Sequence, residues 1–314
     1  MRPLLFVSAL ALAGAFSALA SVDTGLLALA PAGARIIGSV DVTRARNSAF
    51  GQYVLAKAQS DDVHFQEMIT ETGFDPRRDL QNILFVASGP AAAGQKESFA
   101  ILARGNFDQN KIKASATAKG GATILTYGGV DIVVHGKGAA GQTAIGFVDA
   151  GVAVMADMNT MKQIIDSRAA PSVLDADLQS RINSIGNAND VWFVSLVSGT
   201  GFLGESNGPG GAQAKALRGV VQSSGGVKLG ATIATTFDAV TRSDKDAQSL
   251  SDVIRFLASM VQMQRQSDPK AAILATALDG MTVQNTGAAV HLAVSMPEKS
   301  LEQLADSMPL GVAH

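Results

Sequence analysis

Cysteine is absent from the chain. That absence removes disulfides, thiolate metal sites, thiol nucleophiles and lipid attachment through an N-terminal cysteine. Charge is scarce too: Asp, Glu, Lys and Arg make up 17% of residues, against about a quarter in an average globular domain. The formal net charge is −2, and no Lys/Arg stripe offsets it locally. The electrostatic footprint of a nucleic-acid binder is therefore missing. A surface so poor in ions is expected to be rich in Ser, Thr, Asn and Gly. After residue 20 there is no apolar run of the roughly 18 residues a membrane span needs, so the remainder is expected to be soluble.

The N-terminus is different. Arg2 gives a short positive start, Leu4 to Phe16 is unbroken apolar and small, and Ala18-Leu19-Ala20 precedes Ser21 with small residues where a signal peptidase reads. The alternative is an uncleaved anchor, but Leu4–Ala20 is at the short limit for a hydrocarbon core of roughly 30 Å. No basic stop-transfer cluster follows it. The reading is a signal peptide over 1–20, cut between Ala20 and Ser21, and a periplasmic or secreted product. Its removal takes away one of the 25 basic residues and none of the 27 acidic ones, leaving a weakly acidic chain. That chain is long enough to bury its own core without disulfides.

Residues 21–34 read as a lead-in segment broken by Gly25, Pro31 and Gly33. A first half follows over 35–168. A strand is expected over Arg35–Val42, helices over Ser48–Gln59 and His64–Thr72, and a stop at Gly73, where a left-handed cap has no Cβ to clash. Strands over Asn82–Ser88 and Ser98–Arg104 lead to a helix over Asp108–Lys119. Four short strands follow between Gly-rich turns, at Thr123–Tyr127, Val130–His135, Thr143–Asp149 and Val152–Ala156. The helix Asn159–Arg168 closes the half, with Met161, Ile164 and Ile165 on one face.

After a linker and helix over 169–189, a second half runs over 190–314. Its expected elements are a buried strand Val191–Val197, a helix Ala212–Gln222 and a long strand Val227–Phe237. The strongest helical pattern follows, Lys245–Gln266, with Leu250, Val253, Ile254, Leu257 and Val261 in register. Asp268-Pro269 opens a helix to Leu278; strands Met281–Gln284 and Ala288–Ser295 and the helix Glu298–Ser307 end the chain. The halves look alike in order. Each has a strand running into Phe-Asp (Phe107-Asp108, Phe237-Asp238), then a helix, and each closes on a strand pair and an amphipathic helix. Short antiparallel connections give an α+β class: two similar halves, each a mostly antiparallel sheet with helices packed on one face.

Motifs that name a chemistry fail on context. Gly199-Thr200-Gly201-Phe202-Leu203-Gly204 spells G-x-G-x-x-G after a strand, but no helix opens behind it and no acidic residue ends a following strand, so Gly199–Gly211 reads as a flexible loop. Gly136–Gly141 repeats the pattern between two strands, as a hairpin turn. Gly89–Lys96 resembles a phosphate loop with its lysine displaced and a strand behind it. Ser267-Asp268-Pro269-Lys270 has the Ser-x-x-Lys spacing but is what a helix start requires. Asp175-Ala176-Asp177 and Asp244-Lys245-Asp246 read as helix caps. The histidines, His64, His135, His291 and His314, form no local ligand pair.

Two strings are distinctive. Pro31–Asp41 reads Pro-x-x-Ala-x-Ile-x-Gly-x-Val-Asp, and Gly73–Leu80 reads Gly-x-Asp-Pro-x-x-Asp-Leu, with Asp79 able to pair with Arg77 or Arg78. With these the chain resembles, over residues 31–168, exported bacterial α+β proteins of unknown function. That likeness bears on architecture and brings no catalytic residue with it.

No catalytic, cofactor-binding or metal residue is assigned from the sequence, and no cofactor is called for. The leading expectation is a non-enzymatic, envelope-associated or secreted protein that binds another envelope protein or an apolar ligand held between sheet and helices. The alternative is a periplasmic hydrolase or metal-dependent enzyme assembled from distant residues, first candidates Asp41, His64, Glu67, Asp75, Asp79 and His135. Converging titratable side chains would favour the enzyme, an apolar groove or flat patch the binder.

Overall fold

The computed structural model describes residues 22–57, 63–88, 98–118, 121–135, 143–198 and 216–307. A one-turn helix α1 (Thr24–Leu27) precedes β1 (Ile36–Asp41), and α2 (Val42–Asn47), α3 (Ala49–Lys57), α4 (Val63–Thr72) and α5 (Pro76–Asp79) follow it. Then come β2 (Leu80–Ala87), β3 (Phe99–Gly105), α6 (Gln109–Ala118), β4 (Ala122–Tyr127), β5 (Val130–His135), β6 (Thr143–Asp149), β7 (Val152–Asp157) and α7 (Met158–Asp166). The second half holds α8 (Ala176–Gly186), β8 (Val191–Ser195), β9 (Val220–Lys228), β10 (Thr232–Thr241) and α9 (Asp244–Met263). It closes with α10 (Pro269–Leu278), β11 (Thr282–Thr286), β12 (Ala289–Pro297) and α11 (Glu298–Ser307).

The chain is α+β, and the strands among the described residues form one antiparallel sheet of twelve in the order β11-β12-β10-β9-β8-β1-β2-β3-β7-β6-β5-β4. The path repeats. β1-β2-β3 and β8-β9-β10 are meanders; each is followed by helix and edge strands, and the last strand, β7 or β12, returns to pair with the third, β3 or β10, before a closing helix. The first strands of the two halves meet: β1 pairs with β8 antiparallel, Ile37 opposite Val194 and Ser39 opposite Trp192. Asp190, at the foot of β8, braces this seam. Its carboxylate, 4% exposed, accepts from Lys228 Nζ at 2.9 Å and the Leu229 N–H at 2.8 Å, with Arg44 Nη1 at 3.5 Å.

Side chains alternate across a strand, so each sheet face has its own set. One face carries Ile37, Leu84, Leu102, Val154, Ile132, Trp192 and Val194, all buried, beneath Leu26 of α1, Met161 and Ile164 of α7, and Leu178 and Ile182 of α8. Gly146 lets α7 approach, since a Cβ there would lie 3.0 Å from Met161 Sδ. The opposite face carries a smaller cluster in the second half, where Ala247 and Leu250 of α9 pack on Ala239 and Val290.

Most expected elements are present within a residue or two. Gly73 ends α4 with φ +72°, and Asp175 and Asp268 cap α8 and α10, accepting from Asp177 N–H and Lys270 N–H. Four expectations are corrected. The expected helix Ala212–Gln222 gives way to a strand from Val220 onward, β9, and the expected single strand Val227–Phe237 is split, its first two residues ending β9 and the rest belonging to β10 from Thr232; the Gln-Ser-Ser-Gly-Gly centre of β9 has no apolar alternation to announce it. Phe237-Asp238 does not end a strand: the pair lies mid-β10, opposite Leu292 and His291, because the ladder with β12 continues through Val240. The cap of α9 is Ser243, whose hydroxyl accepts from Asp246 N–H, and Asp244 and Asp246 sit in the first turn. The signal peptide, Gly89–Lys96, Gly136–Gly141 and Gly199–Gly211 lie outside the described residues.

Candidate functional site

The strands next to the seam have apolar residues at odd and even positions alike, as in Ile83-Leu84-Phe85-Val86 and Phe99-Ala100-Ile101-Leu102. A strand of that kind has apolar side chains for two faces. The face of α1, α7 and α8 takes one set into the core; the other set lines up in register across the sheet. Starting from β11, directly paired residues are Val283, Leu292, Phe237, Gly225, Phe193 and Gly38. The same row continues through Phe85, Ile101, Met155, Ile145, Val133 and Ile124 on β4. One pleat along, Val227, Val191, Val40, Ile83, Ala103 and Ala153 form a second row.

Helices cover the ends of this face. Val253 and Ile254 of α9 join the cluster containing Phe237 and Val283. At the other end Phe107, leading into α6, packs on Phe147 at 5.8 Å between ring centres and on Phe74 at 5.1 Å, and Lys113 of α6 reaches Asp131 at 2.8 Å. Among the described residues the stretch between them is open: Phe85 is 37% exposed, Ile145 39% and Phe99, one pleat from the row, 49%. Large apolar side chains this exposed are unremarkable singly but form a patch when they share a face. A second exposed apolar surface lies on the far half of α9, at Phe256, Leu257, Met260 and Met263.

Among the described residues, the carboxylate candidates for an enzyme do not gather in one site. Asp41 caps α2, accepting from Arg44 N–H at 2.9 Å. Asp75 caps α5 and pairs with Arg77, whose hydrogen bonds hold its carboxyl below the usual carboxylate range. Asp79 is buried, held by Arg78 at 2.7 Å and by Asp75 N–H at 2.8 Å; the Arg78 bonds likewise lower its pKa. Glu67 lies on α4 beside an open surface depression lined, among the described residues, by that helix alone. His64 lies on α4 and His135 ends β5, and their side chains are outside the described residues. His291 Nδ1 sits 2.8 Å from Asp238 Oδ1 on the sheet face opposite the apolar row. Among the described residues no three His, Asp or Glu side chains gather to hold a metal ion, and no helix is long and apolar enough to cross a membrane.

The apolar face was not singled out from sequence. Its signal was present in the doubly apolar strands, but which residues share a row depends on the register of eleven strand pairs.

No protein-family model matches the chain and no curated protein does. Among solved structures it is similar to crystal form III of TP0453, with a TM-score of 0.54 at 9% identity over 90% of this chain and 98% of that one. Crystal form IV of TP0453 gives a TM-score of 0.50 at 9% identity, covering 89% and 95%. At that identity the likeness concerns the fold alone.

Proposed function

We propose that this chain is an exported, non-enzymatic binding protein whose open sheet face, centred on Phe85, Ile101, Met155 and Ile145, holds an apolar ligand or the apolar segment of an envelope protein. The observation that carries this reading is the in-register apolar row with Phe85 and Ile145 exposed at its centre. The engagement of Asp41, Asp75 and Asp79 in caps and ion pairs supports it over a hydrolase. Export rests on the N-terminal segment; the exported form begins at Ser21, which an intact mass would read.

Covering a half-exposed Phe or Ile contributes about 1 kcal/mol. Phe85, Phe99 and Ile145 together then supply about 3 kcal/mol, weaker than even a millimolar complex. A ligand of useful affinity must also displace water from the half-buried Phe193, Ile101 and Met155, which sets its length at several strands. The test is a titration with the apolar dye 1-anilinonaphthalene-8-sulfonate. The double variant Phe85→Ser/Ile145→Ser should lose most of the fluorescence enhancement while Trp192 emission stays native, and Met263→Ser on α9 should keep it. Enhancement that survives the double variant and vanishes with Met263→Ser would move the site to α9.

A further inference from the structure

Among the described residues the twelve-stranded sheet ends in two unpaired strands, β11 and β4, and they are built differently. β11 reads Thr-Val-Gln-Asn-Thr, short and polar. β4 reads Ala-Thr-Ile-Leu-Thr-Tyr, with no charged residue and no proline. Its pairing with β5 runs unbroken from Ala122 opposite His135 to Tyr127 opposite Val130, so no bulge turns the edge away. Natural sheets guard an edge with charge, proline, a bulge or a covering segment, because a row of unpaired N–H and C=O groups templates another strand. β4 shows none of the first three. Ile124 and Leu125, on opposite faces of the strand, are 42% and 50% exposed, so neither face is covered there.

We propose that β4 is a homodimer interface, pairing antiparallel with β4 of a second copy about a two-fold axis at Ile124. A two-fold interface must be self-complementary, and this register is. Ile124 meets its own counterpart, Thr123 meets Leu125 and Ala122 meets Thr126, each pair on a common face and none bringing like charges together. Charges beside the strand are already engaged: Lys113 pairs with Asp131 at 2.8 Å, and Asp166 accepts from the Tyr127 hydroxyl at 3.1 Å. The seam of the molecule has the same geometry, since β1 and β8 are equivalent strands joined antiparallel. The axis at Ile124 also carries the apolar row from one copy straight into the other, because Ile124 is its last member. A foreign strand would satisfy the backbone equally, but the match of this edge to itself favours a second copy. The proposal stands whether or not the sheet face binds a ligand.

The absence of cysteine makes the test clean. In this register two Ile124→Cys side chains lie directly opposite, within disulfide reach, whereas two Leu125→Cys residues are diagonal neighbours about 7–8 Å apart and outside it. Mild oxidation of the purified protein should therefore give a covalent dimer with Ile124→Cys, and little with Leu125→Cys or with Val173→Cys at an exposed control position. Light scattering should show the wild type as a dimer and Ile124→Lys as a monomer with native Trp192 emission. A monomeric wild type, a dimer that persists in Ile124→Lys, or equal crosslinking at positions 124 and 125 would each overturn the proposal.

Discussion

Asp23 ties the lead-in segment to the sheet. It caps α1, accepting from Leu26 N–H at 2.9 Å, and takes an ion pair from Arg104 of β3, with Nη2 at 3.0 Å. Burial works to raise its pKa, but the Arg104 bond and the Leu26 N–H outweigh it, so the net shift is downward. A carboxyl whose folded pKa lies below its unfolded value of about 3.9 stabilises the fold fully above that value. The contribution is lost as pH falls through the lowered folded pKa. Asp23→Asn should therefore cost about 1–2 kcal/mol at neutral pH, a lost cap plus a lost pair, and the deficit should shrink at acid pH, below the unfolded value and through the lowered folded one, as the wild-type carboxyl protonates. Chemical denaturation followed by Trp192 fluorescence at both pH values checks it; a deficit independent of pH would contradict the assignment. The sequence placed several such residues well, Asp175 and Asp268 as caps and Asp79 beside Arg78, because capping is local. It gave no hint that Asp23 would meet Arg104, a partner brought by the fold.

Elements with strong local periodicity were legible: α7 with Met161, Ile164 and Ile165, and the buried half of α9 with Leu250. β9 was not, and its composition explains both the omission and the strand. Gly225 sits between Phe193 and Phe237 in the apolar row, and a Cβ there would come 2.6 Å from Phe193 Cε1 and 3.0 Å from the Thr236 carbonyl oxygen. The two rings approach across it, centres 6.2 Å apart. Small residues are thus what the neighbours require, and a strand made of them shows no hydrophobic alternation. Gly225→Val should destabilise the protein by about 1–3 kcal/mol through overpacking. Phe193→Ala should recover part of that loss in the double variant, which a denaturation cycle measures; strictly additive costs would show that the two positions do not meet.

At the scale of the molecule, the α+β class and the alternating antiparallel order followed from short connections and turn residues. That the sheets of the two halves fuse through β1 and β8 did not, because the pairing joins residues more than 150 positions apart. The same long-range register makes the open apolar face, so a fold legible in outline still hid its candidate site. One measurement locates that site directly in a chain without cysteine. Single cysteines are placed at Phe85, Phe99 and Ile145 on the face, at Met263 on α9 and at Val173 elsewhere. Their alkylation by iodoacetamide is timed with and without saturating 1-anilinonaphthalene-8-sulfonate. Slowed reaction at 85, 99 and 145 alone is the predicted result; unchanged rates there, or protection confined to 263, would contradict a binding role for the sheet face.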